Sequence, residues 1–152
     1  MFLFERSQLM QSTPRAFAEE RPVRFQDVDA AGIIFYPRVL EYFHDAYVAF
    51  LARAGSPLPQ ILRDKPWISP VRHAAANYLK PLRFGDVVRV AIVAAHAEPS
   101  EVTVGYRLSR AENDEVTATG QVVHTFLDPA TFTRIPIPDA LRAAYLALGQ
   151  EA

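Results

Sequence analysis

Phe25-Gln26-Asp27-Val28-Asp29-Ala30-Ala31-Gly32-Ile33-Ile34-Phe35-Tyr36-Pro37 stands between two stretches of different periodicity, and its reading decides the fold. Upstream, Arg21 to Phe25 alternates, with Val23 and Phe25 on one face, which predicts a short strand. Downstream, Val39, Leu40, Phe43, Ala46, Tyr47, Phe50 and Leu51 fall at helical spacing and form one broad apolar stripe. Glu41, Asp45 and Arg53 lie off it. Pro37 suits a first helical turn, and Gly55 follows the last periodic residue as a stop. The quoted segment is therefore a loop joining a strand to a long helix. Ile33, Ile34, Phe35 and Tyr36 make it too apolar to face water, so its own core or another subunit must cover it.

The second half reads as sheet. Val87 to Ala95 is a nearly continuous apolar run, as in a strand covered on both faces. Val102, Val104, Tyr106 and Leu108 alternate with polar or small residues. Beyond the turn signal Asn113-Asp114, Val116, Ala118, Gly120, Val122, His124 and Phe126 alternate in the same way. Short links between these runs permit antiparallel neighbours. His73 to Leu79 predicts a further strand, and Asp139 to Leu148 a terminal helix. The sum is an α+β plan, one amphipathic helix against a curved antiparallel sheet.

Composition sets the outer bounds. The chain of 152 residues suits a single domain over residues 21–152. Residues 1–20 read as an N-terminal extension, flexible or lying on the surface. Met1 to Phe4 is apolar but is cut off by Glu5 and Arg6, too short for a secretory signal. No window approaches the ~18 apolar residues of a membrane span. A net charge of −1 gives no general attraction to nucleic acid or to an anionic membrane. The lack of cysteine excludes disulfides, a thiol nucleophile and thiolate metal sites, and fits a cytoplasmic location.

Chemistry points back to the loop. A helix start carries unpaired N–H groups and a positive dipole end. Asp27 and Asp29 lie a few residues before one. N–H donors can polarise a carbonyl and hold the oxyanion formed on attack, while a carboxylate acts as nucleophile or as base on a water. The plain alternative is that an aspartate in such a place caps or ties the loop. No Gly-x-Ser-x-Gly elbow is present, and Ser56, Ser69 and Ser100 lie beside prolines. The four histidines are scattered, with no His-Glu-x-x-His pairing, so no metal site is expected.

The run Asp27 to Pro37 followed by an aromatic helix resembles the 4-hydroxybenzoyl-CoA thioesterase family and its Tol-Pal-associated acyl-CoA thioesterases. The likeness extends in element order from residue 21 to about 128. It implies a hotdog fold, a sheet wrapped around one long helix, and an enzyme that hydrolyses acyl-CoA or acyl-carrier-protein thioesters without a cofactor. It implies Asp29 as the catalytic carboxylate, the Tyr36 backbone N–H as carbonyl polariser and a mainly structural Asp27. Gly32, Ile33, Phe35, His44 and His73 become candidate substrate contacts. Pro70-Val71-Arg72-His73-Ala74 with Pro81 and Gly85-Asp86 is similar to the corresponding strand of thioesterases that cleave 1,4-dihydroxy-2-naphthoyl-CoA. An isolated strand histidine is otherwise an ordinary hydrogen-bonded residue.

One departure stands out. Related enzymes often hold the CoA phosphates with a basic cluster in the turn between the middle strands. The turn expected here, Ala95 to Ser100, has no Lys or Arg. Lys80, Arg83, Arg107, Arg110 and Arg134 are the substitutes. The apolar loop and unpaired sheet edges predict a homo-oligomer, at least a dimer, with each site at an interface. The resemblance implies the same arrangement, commonly a dimer of dimers (a homotetramer). The rival readings are a hotdog dehydratase or hydratase, whose Asp/His or Glu/His motif is missing, and a non-catalytic acyl-thioester-binding module.

Overall fold

The computed structural model describes residues 1–149. Helix α1 (Arg6–Leu9) and strand β1 (Phe17–Pro22) precede a single 3-10 turn at Phe25–Asp27. Then come α2 (Pro37–Arg53), α3 (Leu58–Asp64), β2 (Val71–Tyr78), β3 (Val87–Ala97), β4 (Glu101–Arg110), β5 (Val116–Thr125) and α4 (Asp139–Gly149). The five strands form one antiparallel sheet in the order β1-β3-β4-β5-β2. Its inner face wraps α2, which is the α+β hotdog plan expected from the periodicity.

The alternation in β4 decides which residues meet the helix. Val102, Val104, Tyr106 and Leu108 point inward and are buried with Phe43, Tyr47 and Phe50. Phe43 stacks on Tyr106 at 4.7 Å between ring centroids. It lies over Gly120, where an added Cβ would collide with the Phe43 ring and with the Ala75 carbonyl oxygen 2.7 Å away. Burying a ring of this size stabilises the fold by about 2–3 kcal/mol. Helix α4 packs beside α2, with Leu141, Tyr145 and Leu148 in the same core. Gly55, at φ +84°, ends the α2 segment as its position predicts.

One expectation is corrected, and one element is new. The first strand is Phe17–Pro22, not Arg21–Phe25, because Asp27 accepts the Arg24 N–H at 3.0 Å and curls Phe25–Asp27 into a turn. The expected boundary at residue 20 therefore falls inside β1. Helix α3 has no counterpart in the sequence reading; Pro57 and Pro59 both occupy its start, where proline fits.

Residues 1–10 lie along the outer face of the sheet. Leu9 is buried against Ala91 and Val93. The Phe2 carbonyl accepts the Thr103 hydroxyl at 2.6 Å, and the Met10 carbonyl accepts Arg107 Nε at 3.0 Å. Phe4 exchanges two hydrogen bonds with the Gln121 amide. Gly105 makes room for this cover, because a Cβ there would sit 2.5 Å from Leu9 Cδ2. The middle of the apolar run of β3, Val90 to Val93, is thus buried on both faces, while Val87 and Arg89 at its start are exposed.

Candidate active site

The segment between the 3-10 turn and α2 is a small hairpin. Phe35 N–H donates to the Asp27 carbonyl at 2.8 Å, Val28 bridges Ile34, and Asp29 N–H donates to the Ile33 carbonyl at 2.9 Å. Gly32, at φ +79°, closes the tip, and its N–H donates to the Asp29 carbonyl at 3.0 Å. Ile34 N–H donates to the Leu82 carbonyl at 2.8 Å, which docks the hairpin on the loop before β3.

The two carboxylates have opposite surroundings. Asp27 is 0% exposed at the hairpin base. It accepts hydrogen bonds from the Arg24 backbone and side chain and, at 2.6 Å, from the Tyr42 hydroxyl of α2. Burial opposes its ionisation, but the Arg24 and Tyr42 hydrogen bonds overcome that and hold it down to about 2. Burial, reinforced by the bond to Asp27, pushes the Tyr42 phenol up. Asp27 is a tie between hairpin and helix. Asp29 is exposed at the tip. Its Oδ1 accepts the Ala31 N–H at 2.8 Å, a local turn bond, and its Oδ2 has no hydrogen-bond partner among the described residues.

The helix start is equally selective. Pro37 has no N–H. Arg38 N–H turns back to the Phe35 carbonyl at 2.9 Å and Val39 N–H to the Tyr36 carbonyl at 3.3 Å. The Tyr36 N–H is left with no acceptor among the described residues. One hairpin therefore presents a carboxylate oxygen and, at its junction with α2, a lone N–H donor. Acyl transfer calls for groups of these two kinds, an attacking or basic carboxylate and an N–H that can polarise a carbonyl.

The other candidates are spread out. Phe35 and Tyr36 are 45% and 65% exposed. Ile33 is half-buried at the hairpin turn. His44 is exposed two turns along α2 from Tyr36 and borders two cavities. His73, half-buried on β2 opposite Val123, borders neither. Among the basic candidates, Arg107 is buried and bonded to Asp114 and Met10, and Arg110 is tied to Asp86, Glu115 and the Pro81 carbonyl. Neither is available for phosphates. Arg134 sits against the buried Glu101. Lys80 and Arg83 are exposed, flanking the Leu82 on which the hairpin docks.

Residues 23–145 match the model of the Thioesterase-like superfamily. The chain belongs to that superfamily. It is 35% identical over 133 residues to a 1,4-dihydroxy-2-naphthoyl-CoA hydrolase from Thermosynechococcus vestitus, covering 88% of this chain and 90% of that one. A hydrolase of the same name from Synechococcus elongatus is 34% identical, covering 81% and 90% of the two chains. Among solved structures, a 1,4-dihydroxy-2-naphthoyl-CoA thioesterase from Synechocystis superposes with a TM-score of 0.81 at 25% identity, covering 86% of this chain and 96% of that one. A gentisyl-coenzyme A thioesterase superposes with a TM-score of 0.73 at 26% identity, covering 85% and 98%. The fold, the superfamily and the thioesterase class expected from the loop motif agree with these relatives. No helix among the described residues is long and apolar enough to cross a membrane.

Proposed function

We propose that this thioesterase hydrolyses an acyl-CoA with an aromatic acyl group, using Asp29 and the Tyr36 N–H. The observation that carries the reading is that the Tyr36 N–H at the start of α2 has no acceptor among the described residues, on the hairpin whose tip holds an unpartnered carboxylate oxygen. The thioester carbonyl accepts the Tyr36 N–H. Asp29 then attacks the carbonyl carbon, giving an anhydride that water opens, or it takes a proton from a water that attacks. In either route the C–S bond breaks, and the CoA thiolate leaves and is protonated. Neither route calls for a cofactor. The aromatic preference follows the names of the relatives, and short-chain acyl groups are the second class to assay. Lys80 and Arg83, beside the hairpin, take the CoA phosphates in place of the missing basic turn.

The working unit in this reading is a dimer. β2 is an outer strand of the sheet, and Tyr36 and Tyr78 stand exposed beside it, the Tyr78 hydroxyl donating to the Tyr36 carbonyl at 2.9 Å. Exposed strand edges and aromatic patches call for cover, and a two-fold partner supplies it with one self-complementary surface. Free-thiol release from a panel of aroyl-, naphthoyl- and straight-chain acyl-CoAs tests the activity. Sedimentation at micromolar concentration tests the assembly. An active monomer would sink the shared-site part, and absence of thiol release from every thioester would sink the whole.

A further inference from the structure

A cavity of about 510 Å³ lies between α2, α3 and the chain flanking β2 and β5. That is ligand size. Leu51, Ile61, Leu62 and Trp67 give it apolar walls, and His124 is a polar residue facing it. A second hollow of about 130 Å³ shares His44, Tyr47, Val71 and His124 with it and extends to Leu40. Leu40, His44, Tyr47 and Leu51 follow Tyr36 at helical spacing. The two hollows thus continue the face of α2 that begins at the lone N–H donor. Asp29 lines neither.

Two buried polar atoms of the residues lining this space, Ser69 Oγ and His124 Nε2, have no hydrogen-bond partner among the described residues. His124 is 5% exposed, and leaving a polar atom orphaned in such a place is unfavourable. Its Nδ1 lies 3.4 Å from the Ser69 carbonyl oxygen. A carbonyl can only accept, so the ring proton sits on Nδ1 and Nε2 presents a lone pair. Burial pushes the imidazole down to about 4, which keeps it neutral at pH 7. Stacking on Tyr47, with centroids 4.4 Å apart, fixes the ring plane.

The cavity mouth carries a second sign. Lys65 and Phe132 both line it, at φ 48° and 57°, and they are two of the three non-glycine residues in the left-handed region among the described residues. Such a backbone is strained for a residue with a Cβ. Asp128 holds Phe132 there, its carboxylate accepting the Ala130 and Thr131 N–H groups and its carbonyl accepting the Phe132 N–H at 2.8 Å. The result is an exposed aromatic ring kept at the entrance.

We propose that this cavity is the far end of the acyl site, and that His124 Nε2 accepts a hydrogen bond from a hydroxyl on the distal ring of a two-ring aromatic acyl group. The proposal rests on the thioesterase reading above. His44 lines both hollows beside His124 and lies eight residues beyond Tyr36, about 12 Å of helix. With about 3 Å taken by the hydrogen bond to the carbonyl, a two-ring acyl group with a distal hydroxyl reaches the level of His44 and His124.

The test compares kcat/KM for 6-hydroxy-2-naphthoyl-CoA and 2-naphthoyl-CoA by thiol release. The unmodified enzyme should favour the hydroxylated ester by about tenfold, equivalent to about 1.4 kcal/mol. His124→Phe keeps a ring to stack on Tyr47 but has no acceptor, so the ratio should fall to about one. Ile61→Trp, which adds bulk to the cavity from α3, should raise KM for both naphthoyl esters more than for acetyl-CoA, and it carries the test if His124→Phe does not fold. Asp29→Ala should slow both esters alike, which separates chemistry from recognition. A ratio near one in the unmodified enzyme, or one that persists in His124→Phe, overturns the proposal. Refusal of both naphthoyl esters alongside turnover of other acyl-CoAs overturns it while the thioesterase reading stands. Silence on every thioester removes the reading, and the proposal with it.

Discussion

The base and the tip of one hairpin treat the same side chain in opposite ways. At the base, Asp27 is sealed from water and surrounded by donors from Arg24 and Tyr42. At the tip, Asp29 spends one oxygen on its own turn and leaves the other open. A carboxylate whose lone pairs are all committed is a poor base, and an unpartnered one on a pinned loop is a ready one. In the proposed mechanism two residues of separation divide structure from chemistry, and substitution at each should move a different observable.

The largest effect should come from the tip. Asp29→Ala removes the proposed reacting group and should lower turnover of any accepted acyl-CoA by about 10²-fold or more, with the melting curve unchanged. Turnover within a few-fold of normal would erase the distinction. Next, Asp27→Ala strands the buried Tyr42 hydroxyl and breaks the Arg24 pair, and should cost about 3 kcal/mol in denaturant unfolding. An unchanged midpoint would show that the base is not the tie described.

Acid should read the same contrast more gently. The folded value of Asp27 lies at about 2, below the ordinary aspartate value of 3.8, so its contribution is complete above that range and is lost as pH falls toward 2. The shift corresponds to about 2 kcal/mol, and Asp27→Asn should flatten the unfolding profile in that window. His124, lowered to about 4 from 6.5, acts in a separate window, its contribution present above pH 6.5 and lost as pH falls to about 4. The smallest effect belongs to Gly32→Ala. Nothing lies within 4 Å of the added Cβ, so only the strain at φ +79° counts, about 1 kcal/mol, read as a slight drop in melting temperature. A larger drop would mean that the turn, rather than its contacts, holds the tip.

Legibility followed the same physical lines. β4 and β5 were plain in the sequence because burial on one face imposes a period of two, and α2 because its stripe has a period of 3.6. Helix α3 was hidden by prolines that serve its first turn. The cover over the outer sheet face was hidden too, since Thr103 and Arg107 look like solvent-facing residues when read alone. The readable trace was Gly105, a glycine inside a strand, which marks a close approach. In the site, the loop residues were legible as a motif of acids, glycine and aromatics. His124 was not, because in an alternating strand its side chain counts only as one more inward position, and its orphaned nitrogen exists only after folding.

The cover formed by residues 1–10 also bears on the order of assembly. Its seat is made from β3, β4 and β5 together, and the Phe4–Gln121, Phe2–Thr103 and Met10–Arg107 bonds join residues 117, 101 and 97 positions apart. Contacts of such long range slow folding, since the intervening chain must close before they return any energy. Residues 1–10 have no seat until β3, β4 and β5 have paired. Until then Phe2, Phe4 and Leu9 have no surface to bury against, and the cover is ordered late in folding.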